Sequence, residues 1–177
     1  MKDANISTAL TQLAVNSCGN RVVTCKGDIT DHLTVRGDVV AIVGNIAPTI
    51  KKLRAKTRRV YVFERDLDLR DDNTLPDTAV EEILLQSDVA LITGTSIVNG
   101  TVDRLLELSR NAREVALVGS TAGLPPTVLF RHRATAVGTV RVTNRDRAMR
   151  VIAEGDGTPS IRSAIEFVVH KPLPKDR

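Results

Sequence analysis

Short apolar runs recur along this chain, each ended by a glycine or polar stop and followed by a segment with helical spacing. Val39-Val40-Ala41-Ile42-Val43 stops at Gly44-Asn45, and Val60-Tyr61-Val62-Phe63 stops at Glu64-Arg65-Asp66. Val89-Ala90-Leu91-Ile92 is closed by Thr93-Gly94-Thr95, and Val115-Ala116-Leu117-Val118 by Gly119-Ser120. Ala136-Val137 with Val140-Arg141-Val142 suggests a fifth run. The runs are continuous rather than alternating, which is the pattern of strands buried on both faces of a parallel sheet.

The intervening segments read as helices. Ala47, Ile50 and Leu53 share one face of the first. Thr78-Ala79-Val80-Glu81 has the capping-box pattern and opens a second, with Ile83, Leu84 and Leu85. Val102, Leu105, Leu106 and Leu108 form the stripe of a third. Pro125-Pro126 opens a fourth, since proline is tolerated in a first turn, and Met149, Ile152 and Ala153 mark a fifth, ended by Gly155-Asp156-Gly157. A right-handed strand-helix-strand series of this kind predicts an α/β, Rossmann-like three-layer sandwich: a mainly parallel central sheet, order about 3-2-1-4-5, with helices on both faces. Ile165 to Val169 is expected to add an edge strand.

The expected organisation is one Rossmann-like domain over 38–170. An extension over 1–37 packs on it, with a helix carrying Ile6, Leu10 and Leu13 and a weak strand over 21–25. A frayed tail over 171–177 follows. The 177 residues and 42% hydrophobic content suit one core. Lys and Arg number 25 against 21 Asp and Glu, a net charge of +4 that suits small anionic partners better than nucleic acid. Three Phe, one Tyr and no Trp leave too few aromatic faces for a base-stacking surface, so no nucleic acid is expected. No apolar run approaches the roughly 20 residues of a membrane helix, and none resembles a signal peptide, so a cytoplasmic location away from the membrane is expected.

In an open parallel sheet, ligands bind beyond the carboxyl ends of the strands, where strand order reverses. The expected order puts that crevice between the first and fourth strands. Its candidate lining is Gly44, Asn45 and Pro48 after the first run, Thr93, Gly94, Thr95 and Asn99 after the third, and Gly119 and Ser120 after the fourth. Glycine lets backbone approach a ligand closely, and free N–H groups favour an anion. Glu64 stands about 20 residues past Gly44, where a Rossmann acid binds ribose hydroxyls; the alternative is a solvated acid. The first loop has one glycine and then a proline, which disfavours a conventional dinucleotide pyrophosphate site, and there is no Walker A sequence. Thr93 to Thr101 is the most distinctive stretch, and reads equally as a ligand loop or a capping loop in which Asn99 or Thr101 caps the next helix.

No catalytic constellation stands out. His32, His132 and His170 are far apart, and Cys18 and Cys25 lack ligand spacing, so a complete metal site within one chain is not expected. Lys51, Lys52, Arg54, Lys56, Arg58 and Arg59 cover a helix and its exit, and read as a solvated face or as docking for an anionic partner.

Val39 to Pro48, Asp88 to Thr101, Leu105 to Leu108, Val118 to Thr121 with Pro125 and Leu129-Phe130, and Glu154 to Thr158 resemble the Rossmann-like domain of the putative heavy-metal chelation family, over residues 38–160. That resemblance implies a cleft shared with a preceding domain similar to the N-terminal domain of enolases. Only a connecting helix over Ile6 to Val15 is matched here. The missing wall is then expected from a separate subunit or from a second copy in a homodimer. The resemblance implies a ligand- or metal-handling module, its cofactor a divalent metal or a small anion. Two other readings stand beside it: an enzyme using an S-adenosylmethionine-, nucleotide- or pterin-like cofactor, and a non-catalytic assembly subunit.

Overall fold

The computed structural model describes residues 22–36, 38–123, 125–156 and 158–173. The expected helix over Ile6 to Val15, together with Cys18, lies outside the described residues. In chain order the elements are β1 (Val22–Lys26), α1 (Ile29–His32), β2 (Val39–Val43), α2 (Ala47–Arg54), β3 (Arg59–Glu64) and β4 (Thr74–Pro76). There follow α3 (Val80–Ile83), β5 (Val89–Thr93), α4 (Thr95–Val98), α5 (Val102–Leu108), β6 (Glu114–Val118) and α6 (Pro126–Arg131). The last are β7 (Ala136–Val142), α7 (Arg145–Ala153), α8 (Thr158–Ile161) and β8 (Ile165–Pro172).

The eight strands form one sheet in the order β1-β8-β7-β6-β5-β2-β3-β4. Strands β2 to β7 pair in parallel, with Ala41 opposite both Tyr61 and Ala90, and Ala90 opposite Val115. β8 is antiparallel to both β7 and β1. The continuous apolar runs are explained by burial on two sides. On one face Ala41, Phe63, Ala90, Ile92, Val115, Leu117 and Val137 pack with Leu84, with Leu105, Leu106 and Leu108 of α5, and with Leu129 of α6. On the other, Val40, Ile42, Val62, Val89, Leu91 and Ala116 pack with Ile29 of α1 and with Ile50 and Leu53 of α2. Helices thus cover both faces of a doubly wound α/β sandwich.

The strand order differs from the expected 3-2-1-4-5. The five anticipated strands run 2-1-3-4-5, because β5 pairs directly with β2. Val89 to Leu91 are wholly buried on both faces, which suits a central position. β3 instead begins with the exposed Arg59 and runs out into the exposed Arg65 and Asp66, and it takes the outer side, where only the three-residue β4 flanks it. The crossover from β2 to β3 carries α2 on one face, and those from β5 onward carry α5 and α6 on the other. Winding therefore reverses between β2 and β5, not between the first and fourth runs.

Three smaller expectations change. β8 is interior, with β1 outside it, so Val22 to Lys26 is part of the sheet rather than laid upon it. Lys171 and Pro172 continue β8 opposite Val23 and Val22, so the ordered chain extends into the expected tail. The capping box does not form. A 3-10 turn over Asp77–Ala79 already winds the chain before α3, so Thr78 lies inside the wound segment, and neither start has a side-chain cap. Glu81 is held instead by Arg104, at 3.1 Å through two bonds.

Candidate functional site

Three loops begin at the same level of the sheet. The N–H of Gly44 donates to Phe63 O (2.8 Å), that of Gly94 to Val118 O (2.8 Å) and that of Gly119 to Gly138 O (2.9 Å). Each glycine therefore carries its ladder one bond past the strand, and the bends of β2, β5 and β6 open on one carboxyl rim. They touch. A Cβ on Gly94 would stand 2.3 Å from Ala122 N and 2.6 Å from Thr121 Oγ1, and one on Gly44 would stand 2.9 Å from Thr93 Cβ. Gly44 also has φ +99°, a conformation other residues rarely adopt. A Cβ on Gly119 would lie 3.9 Å from Gly94 N.

The exposed side of this junction is made of hydroxyls. Thr93 Oγ1 and Thr95 Oγ1 are 3.0 Å apart and share one hydrogen bond, and Thr93 Oγ1 also accepts the Thr95 N–H at 3.4 Å. Ser96, buried beneath, donates its hydroxyl to Thr93 O (2.7 Å) and fixes the turn. Pro48 is exposed in the first turn of α2. That helix has no side-chain cap and no acid in its own first turn, and the Glu64 carboxylate meets the chain just before it, at the Asn45 N–H.

Two anticipated residues serve the fold. Glu64 Oε2 accepts the Asn45 N–H (2.8 Å) and its Oε1 the Asp66 N–H (3.0 Å), so the carboxylate brackets the loops after β2 and β3. Asn45 Nδ2 donates to Leu69 O (2.7 Å), and Arg70 Nε donates to Glu64 O (2.7 Å). Leu69 and Arg70 belong to a turn that the strand pattern did not reveal. The signal was Asp66, whose side chain accepts from Asp68 N to start a 3-10 turn. Asn99 stands about 6 Å beyond Thr95 by the rise of a helical turn. Its Oδ1 accepts from both the N–H and the hydroxyl of Thr101 (3.2 and 2.8 Å), so it shapes the entry to α5 without acting as the helix N-cap. Thr101 holds that position with no capping side-chain bond. The rim thus brings together Gly44, Asn45, Thr93, Gly94, Thr95, Gly119 and Ser120, with Pro48 beside them and Asn99 outside.

The described residues do not fit a heavy-metal ion. No group of three or more His, Cys, Asp or Glu is arranged for one among the described residues. Thiolate and imidazole suit such ions, whereas this rim supplies neutral hydroxyls and a carboxylate already accepting two N–H groups. Cys25 lies in the outermost strand. His32 contacts Lys26 O (3.0 Å), His170 contacts Thr24 Oγ1 (2.9 Å), and His132 ends α6. No helix of the described residues is long and apolar enough to cross a membrane.

Fold and rim together define a doubly wound α/β protein whose winding reverses between β2 and β5. The family model DUF364, described as "Putative heavy-metal chelation", matches residues 28–171, and the chain belongs to that family. An uncharacterized protein of Methanocaldococcus jannaschii is 30% identical over 125 residues, which cover 69% of this chain and 48% of the relative. A DUF364 structure of unknown function from Pyrococcus horikoshii aligns with TM-score 0.82 at 28% identity, covering 94% of this chain and 66% of that one. Another, from Desulfitobacterium hafniense, aligns with TM-score 0.72 at 32% identity, covering 84% and 58%. The chain thus spans about half the length of the curated relative and under two thirds of each solved chain.

Proposed function

We propose that the carboxyl rim at the β2–β5 crevice binds a small anionic ligand, and that protein surface beyond this chain's rim closes over it. The observation that carries the reading is the convergence of three glycine bends, with the Thr93 and Thr95 hydroxyls on the open side. The greater length of the relatives supports a second wall beyond this rim. A metal reaches this rim, on this reading, only inside a complex that brings its own donors.

The test is a thermal-shift series on the full chain with inorganic phosphate, nucleotides, S-adenosylmethionine and pterins, since a ligand that binds only the folded state raises its Tm. Thr95→Val is the discriminating variant. Thr95 is exposed and its hydroxyl shares a surface bond with Thr93 Oγ1, so the variant is expected to keep its unliganded Tm and to lose the shift. A shift of equal size in Thr95→Val, or no shift with any ligand, overturns the reading. Equilibrium dialysis against Ni, Co and Zn is expected to show no stoichiometric uptake. Uptake of one ion per chain would restore direct chelation.

A further inference from the structure

The opposite, amino rim of the sheet carries a cavity that the carboxyl-rim reading leaves unused. A cavity of about 310 Å³ opens over the paired starts of β2 and β3, lined by Val39, Arg58, Arg59, Tyr61, Ile83 and Gln86.

The lining has two chemistries. Val39, Ile83 and the Tyr61 ring offer apolar surface, and Arg58, Arg59 and Gln86 offer donors. Arg59 is held in place: its Nη1 donates to Tyr61 Oη (2.9 Å), and its guanidinium lies 5.6 Å from the ring centroid. Neither arginine makes an ion pair among the described residues. The neighbouring carboxylates are engaged elsewhere. Asp38 is gripped by Arg113 through two bonds of 2.9 and 2.5 Å, and Asp88 Oδ2 accepts the Val39 N–H (2.9 Å). Arg58 and Arg59 both line the cavity, and a doubly charged oxyanion is the ligand that accepts forked guanidinium donors best.

We infer that this cavity is a site for a phosphate monoester carrying a small flat or apolar group. The dianionic head lies between Arg58 and Arg59, and the organic part rests on Val39, Ile83 and the Tyr61 ring. Phenyl phosphate is the probe, titrated into the full chain by calorimetry. The expected result is saturable binding at or below about 1 mM, with inorganic phosphate and benzoate each several-fold weaker. Arg58→Gln and Arg59→Gln are each expected to weaken it about tenfold. Both side chains are exposed, so an unchanged Tm certifies folding. Thr95→Val, at the other rim, is expected to leave phenyl phosphate binding unchanged, which separates this site from the one above. No saturation by about 5 mM, benzoate as tight as phenyl phosphate, arginine variants that bind normally, or loss of binding in Thr95→Val would each overturn the inference.

Discussion

Gly94 shows how one residue can be demanded by the backbone of a neighbouring loop. A methyl group there would enter the space of Ala122 N and the Thr121 hydroxyl. Because the obstacle is backbone, Gly94→Ala is expected to destabilise the fold by about 3 kcal/mol in denaturant unfolding. A cost near zero would show that the loops after β5 and β6 stand apart. The same clash makes any bulky Gly94 variant unsuitable for testing ligand binding, since lost binding and lost folding would look alike. Thr139 argues the other way. Its hydroxyl is buried with no hydrogen-bond partner among the described residues. Thr139→Val keeps the shape and removes an unsatisfied group, so a gain of about 1 kcal/mol, or a few degrees in Tm, is expected. A loss instead would reveal a partner for that hydroxyl.

At the scale of elements, α1 has only four residues and survives by attachment. Asp28 caps it, its Oδ1 accepting Thr30 N (2.9 Å) and the Thr30 hydroxyl (2.7 Å), while Oδ2 meets Lys52 Nζ of α2 at 3.1 Å. Burial pushes the Asp28 carboxyl up, but the Thr30 and Lys52 contacts outweigh it and hold the group below the usual carboxylate range. Asp28→Ala is expected to cost about 1 kcal/mol and to speed hydrogen exchange in α1 ahead of the central strands. Uniform exchange across the chain would contradict this. Elements also show where sequence was legible. The five central strands, α2 and α5 were readable because double-sided burial and amphipathic stripes leave periodic marks; α6 was read from its opening prolines, and α7 from Met149, Ile152 and Ala153, although it buries Ala148 and leaves Met149 and Ala153 exposed. β4 and the turn over Leu67–Leu69 were not, since three-residue elements have no period. Thr78 carried a capping motif that the preceding 3-10 turn made irrelevant.

At the scale of the whole molecule, the antiparallel pair β1 and β8 extends the parallel sheet, and His170 sits in that extension. It is 4% exposed, paired across the sheet with Thr24 and Val137. Burial, with the charge of Arg141 adding to it, holds the imidazole below its ordinary value near 6.5. The unfolded chain binds a proton where the native chain stays neutral. This contribution is therefore complete above pH 6.5 and declines as pH falls from there toward the lower folded value. Urea unfolding at about pH 7 and about pH 5 is expected to show a larger acid-side loss in the wild type than in His170→Gln. Equal losses would place the titration on another group.

The amino-acid sequence by itself determined the layers and the loops. Continuous apolar runs require helices on both sides of a parallel sheet, and glycine and hydroxyl residues after three of those runs mark where the chain bends. Local pattern is enough for this, because burial and turn geometry act within a few residues. Only the tertiary structure decided which strands are neighbours, and therefore that the winding reverses between β2 and β5. It also decided that the Glu64 carboxylate is spent on two backbone N–H groups, and that Arg58 and Arg59 line a cavity at the amino rim. Those outcomes depend on contacts between residues distant in the chain, whose pairing energies no single segment carries.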